Sequence, residues 1–132
     1  METLRRKVLF GLFAVVLTIT AALTMVNAQV YTDLYDFNPT TDGSACVVGV
    51  LAQGQDGSLY GTLCDRGAND VGVVFKVTPT GTFSILYNFD TTHGSTPKGG
   101  LTLGVDGNLY GTTQLGGTYN AGTIFQITPR EP

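Results

Sequence analysis

The chain has 132 residues, the length of a single domain. Only 13% are charged, 18 are glycine and none is tryptophan, a composition of short strands and tight turns rather than helices. Beyond residue 28 the basic side chains are Arg66, Lys76, Lys98 and Arg130, set among nine acids and nowhere clustered, which excludes a nucleic-acid backbone as partner.

Arg5, Arg6 and Lys7 precede an uncharged apolar run from Val8 to Val26. Val26-Asn27-Ala28 then places small residues at the two positions a signal peptidase reads. This predicts a signal helix over residues 1–28, cleaved before Gln29, and export to the periplasm, the cell surface or the medium. The alternative is an uncleaved membrane anchor, because the 19 residues just suffice to span a bilayer.

The rest reads as strands and turns. Tyr31 to Phe37 alternates, with Tyr31, Asp33, Tyr35 and Phe37 on one face. Pro39 and Asp42-Gly43 mark a loop, and Val47 to Ala52 a short apolar strand. Asp56-Gly57 is a hairpin turn and Ser58 to Leu63 the returning strand. After a polar loop, Val73 to Thr78 and Thr82 to Phe89 follow, joined at Pro79-Thr80-Gly81. The second strand of that pair places Phe83, Ile85, Tyr87 and Phe89 on one face, with Leu86 opposite. Strands apolar on both sides suit a sheet sandwiched between others. The pattern then recurs as Leu101 to Val105, the Asp106-Gly107 turn, Asn108 to Gln114 and Thr123 to Thr128.

The recurrence is literal. D-G-S-L-Y-G-T from Asp56 returns as D-G-N-L-Y-G-T from Asp106, an offset of 50 residues. G-V-V-F-K-V-T-P from Gly72 returns as G-T-I-F-Q-I-T-P from Gly122 at the same offset. L-Y-D-F from Leu34 returns as L-Y-N-F from Leu86, at 52. The fold class is therefore all-β: two propeller-type four-stranded repeats of about 50 residues, over 31–89 and 90–132. The second lacks its last strand, so the whole is an incomplete propeller or a small stack of sheets. Asp106 to Phe125, D-G-N-L-Y-G-T-T-Q-L-G-G-T-Y-N-A-G-T-I-F, resembles the bacterial GloVer tandem repeat of secreted surface proteins. The first copy departs from that pattern at Leu63, Cys64 and Arg66. The resemblance implies a repeat architecture and carries no activity with it.

Candidate chemistry is sparse. There is no G-x-S-x-G, G-x-G-x-x-G or P-loop. His93, the sole histidine, stands near Asp90 and Ser95, where a nucleophilic triad can be drawn. The first copy has Asp42 in its place, so a loop histidine explains it more simply. Two cysteines and one histidine do not make a zinc site. Asp65, Asn69 and Asp70 crowd one loop as calcium ligands would, yet the second copy has no acid there. No metal or cofactor is expected. Asp56, Gly57, Asp106 and Gly107 are read as structural turn residues rather than as paired glycosidase carboxylates. Tyr60 and Tyr110 are candidates for stacking against a ligand, against the simpler reading as core. Cys46 and Cys64 sit at strand ends that antiparallel pairing brings together, which predicts a disulfide in an exported protein.

These observations point to a non-enzymatic secreted or cell-envelope module with no catalytic residue. Its expected partners are an extracellular protein or glycan, or further copies of itself joined through open sheet edges. A membrane is a partner only if the leader is retained. The competing reading is a propeller-type enzyme acting on extracellular glycans.

Overall fold

The computed structural model describes residues 29–42, 46, 49–65 and 67–129. The chain divides into two units, residues 1–32 and 33–132. Of the first, Gln29–Thr32 are described and are irregular. The expected signal helix over 1–28 lies outside the described residues.

The second unit holds two antiparallel sheets. The first comprises β1 (Ala52–Gln53), β2 (Leu59–Leu63), β3 (Val73–Val77) and β4 (Phe83–Asn88), hydrogen-bonded in that order. The second comprises β5 (Thr102–Leu103), β6 (Leu109–Thr113) and β7 (Thr123–Ile127). No helix occurs among the described residues, and the sheets do not close into a barrel.

The repeat holds at the level of single pairings. Leu59 faces Val77 and Gly61 faces Phe75 in the first sheet; Leu109 faces Ile127 and Gly111 faces Phe125 in the second. The Asp-Gly turns place Gly57 and Gly107 at φ of 78° and 79°, a backbone region open to glycine at no steric cost. Gly61 and Gly111 are required for a different reason. A Cβ there would stand 2.6 Å from the Phe75 ring and 2.5 Å from the Phe125 ring.

Each sheet has two faces, and alternation assigns them. One carries Leu63, Val73, Phe75 and Val77 in the first sheet, and this cluster is covered by Tyr35, Phe37 and Phe83. The opposite face, with Ala52, Tyr60 and Val74, packs together with Leu101, Leu109, Phe125 and Ile127 of the second sheet. All five residues of β3 are therefore buried, Lys76 included. A strand apolar on both sides has found cover on both sides.

Two sequence expectations are corrected. Tyr31 to Phe37 is irregular rather than a strand. Tyr35 instead stacks on Phe83, centroids 4.8 Å apart, and Phe37 meets Phe75 edge-on at 5.4 Å. Aromatic burial thus anchors the segment without a backbone ladder. The Tyr35 hydroxyl donates to Asp42, which also accepts the Asn38 N–H at 2.9 Å. That hydrogen bond raises the Tyr35 phenol to about 12.

The other correction is in β4. Val74 faces Tyr87 while Phe75 faces Ile85, so one extra residue interrupts the register. A bulge of this kind shifts the residues beyond it to the other face. Phe83 therefore joins the Phe75 cluster, whereas Phe89 packs on Phe125 of the second sheet at 5.1 Å. Of the expected strand Val47 to Ala52, Val47 and Val48 lie outside the described residues, and ladder pairing begins at Ala52.

Candidate functional site

The repeated carboxylates are turn ligands. Asp56 accepts the Ser58 N–H at 3.0 Å, the Tyr60 hydroxyl at 3.0 Å and the Lys76 ammonium at 3.2 Å. Burial pushes this carboxyl up, but the hydrogen bonds from Ser58, Lys76 and Tyr60 outweigh it and hold it at about 2. Asp106 repeats the arrangement with the Asn108 N–H at 3.1 Å, the Asn108 amide at 2.8 Å and the Tyr110 hydroxyl at 2.7 Å. Gln126 stands where Lys76 does, so the second turn has no such ion pair. The Tyr110 hydroxyl leads the hydrogen bonds that keep Asp106 below the usual carboxylate range.

This asymmetry predicts unequal costs. Asp56→Ala removes the 3.2 Å contact to the buried Lys76 along with the turn hydrogen bonds, and is expected to lose about 2 kcal/mol of unfolding free energy. The figure is below that for a fully buried pair because the Asp56 side chain is 44% exposed. Asp106→Ala loses turn hydrogen bonds alone and costs less. The Asp56 pKa falls from 3.8 unfolded to about 2 folded, so its contribution is complete above pH 4 and disappears as pH drops through about 2. Urea titrations of both variants between pH 7 and pH 2 check this: the Asp56→Ala deficit should shrink at low pH, and equal deficits at pH 7 would refute the asymmetry.

The two tyrosines part company. Tyr60 is 1% exposed between the sheets. Tyr110, at the same place in the second repeat, is 36% exposed. Beside it on the outer face of the second sheet, Ile124 is 84% exposed. The same face of the first sheet is the one covered by the second repeat.

Along β7 runs a groove of about 450 Å³. Its walls are β7 itself with Tyr87, Phe89, Thr92, His93 and Thr118. His93 lies at its rim, its Nδ1 2.8 Å from an Asp90 oxygen. The His93 N–H, then its ring, hold Asp90 below the usual carboxylate range. Ser95 is buried and bridges to Leu115 through its backbone in both directions, which makes it a structural residue of the linker.

In the other loop, Asn69 donates its amide to the Phe89 carbonyl at 2.8 Å and Asp70 takes a positive φ of 56°. These serve the turn. No cluster of three metal-ligating side chains occurs among the described residues. Cys46 and Cys64 form a disulfide with Cα atoms 5.5 Å apart. The groove residues Tyr87, Thr118 and Ile124 were not legible as a site.

The sequence model of the Gloeobacter/Verrucomicrobia repeat matches residues 18–132. The chain belongs to this family. The match covers both repeats. No curated protein matches this Gloeobacter/Verrucomicrobia repeat chain.

Proposed function

We propose that the protein is an exported, non-enzymatic β-repeat module that works by contact, through the outer face of its second sheet and the groove along β7. The carrying observation is the contrast between two equivalent faces. Val74 is wholly buried under the next repeat, whereas Ile124, its counterpart, is 84% exposed. Exposed apolar surface of that kind, rimmed by polar loops, marks interaction sites.

The side chains peculiar to one repeat support the same reading. Cys46 and Cys64 are bonded to each other, and His93 is held on Asp90 in an exposed loop. A glycan-cleaving enzyme has the Asp90–His93 pair at the groove rim in its favour. Glycoside hydrolysis calls for two carboxyl groups roughly 5–9 Å apart across the bond, and no carboxylate lines the groove among the described residues.

Export is tested by intact mass. Protein recovered outside the cytoplasm is expected to begin at Gln29. A mass that retains residues 1–28 would replace the cleaved leader by an anchor, and recovery from the cytoplasm alone would overturn export. Contact is tested by Ile124→Glu, which should abolish association while leaving the fold intact; association that survives it would overturn the reading.

A further inference from the structure

The leader junction reads Val26-Asn27-Ala28-Gln29. Removal of residues 1–28 during export does more than shorten the chain: it turns Gln29 from an internal residue into the amino-terminal one. A terminal glutamine carries its own electrophile, because the side-chain Cδ lies where a five-membered ring with the α-amine closes. Closure also needs a nucleophilic amine and an end that can fold back on itself. A terminal α-amine titrates at about 8, so a share of it is neutral and nucleophilic at neutral pH.

The structure supplies the free end. Gln29–Thr32 are irregular and exposed, and Val30 and Tyr31 are each 86% exposed. Neither a helix nor a strand fixes the backbone of Gln29, so its side chain can turn back onto its own nitrogen. An exposed, irregular terminus is also where proteolysis concentrates. The chemistry that closes the ring therefore acts at the place where the exported chain is most open to trimming.

We propose that Gln29 of the exported protein is converted to pyroglutamate, which caps the exposed end. The α-amino nitrogen attacks the side-chain Cδ. A bond forms between them, the Cδ–Nε2 bond breaks, and Nε2 leaves as ammonia with the proton the amine gives up. Nothing is oxidised or reduced, and no co-reactant is consumed. The product is a neutral amide, so a chain with four basic and nine acidic side chains beyond residue 28 loses a further positive charge. Its end no longer offers a free amine to an aminopeptidase. The inference rests on cleavage before Gln29 and is independent of the contact reading.

The full chain with its leader is expressed in an exporting bacterium, recovered outside the cytoplasm and held at neutral pH until its mass is constant. The expected mass is that of residues 29–132 with the Cys46–Cys64 disulfide, less one ammonia. Tandem mass spectrometry should place the loss at Gln29, within the tryptic peptide from Gln29 to Arg66. The Gln29→Asn chain, whose side chain is one carbon too short for the same ring, should keep its terminal amine. An aminopeptidase should then shorten Gln29→Asn and leave the unsubstituted protein whole. A chain that begins at Gln29 with an open side chain and a free amine overturns the ring alone, as does equal shortening of the two chains. A chain that retains residues 1–28 overturns the cleavage, and the ring with it.

Discussion

Phe89→Ala is expected to lower the unfolding free energy by about 4 kcal/mol, the largest single-residue effect in the molecule. Phe89 is 1% exposed and stands between the repeats, edge-on to Phe125 and to Tyr87, each 5.1 Å away. Its backbone is held from both sides: its N–H donates to the Gly72 carbonyl at 3.0 Å, and its carbonyl accepts the Asn69 amide at 2.8 Å. The main chain therefore cannot follow a shortened side chain inward, and the cavity stays open. Tyr87→Ala, at 37% exposure, should cost far less. Urea midpoints at unchanged slope measure both. Hydrogen exchange in Phe89→Ala should quicken first in β5 to β7, since this ring ties the second sheet to the first. Equal midpoints for the two variants would refute the account.

Loss of the Cys46–Cys64 disulfide is expected to cost about 3 kcal/mol, mainly by freeing the unfolded chain. The bridge spans a sequence separation of 18 and closes the hairpin of β1 and β2. The Cys64 N–H donates to the Cys46 carbonyl at 3.2 Å, so the two cysteines extend the strand pairing. Folded geometry thus survives reduction, and the penalty falls on the equilibrium. Midpoints with and without reductant, and for Cys46→Ala with Cys64→Ala, check it. The second repeat has Gln114 where the first has Cys64, so its strands should show no reductant dependence of their own beyond this loss. An unchanged midpoint would refute the stabilising role.

Strands β2, β3, β6 and β7 follow their sequence patterns closely, because alternation and Asp-Gly turns are local signals. The disulfide was legible for the same reason: a hairpin dictates which strand ends meet. Tyr31 to Phe37 misled because its rings pack on Phe83 and Phe75 while its backbone stays irregular, and alternation alone does not show that a backbone ladder forms. In β4 the pattern named the apolar residues but missed the bulge, which sends Phe83 and Phe89 to different cores. The groove was not legible at all, since its walls come from β3, β4, the loops after β4 and before β7, and β7 itself.

By itself, the sequence determined the unit, its strand order and its turns. V-V-F-K-V and T-I-F-Q-I are one pattern, and each became a strand paired to the hairpin before it. Only the tertiary structure decided that β3 is buried throughout while β7 alternates between half-buried and exposed. Burial depends on what lies across each face. Tyr35 and Phe37 cover β3 on one side and the second repeat covers it on the other, whereas β7 has cover on one side. That difference is a property of position in the stack, and no local window of residues contains it.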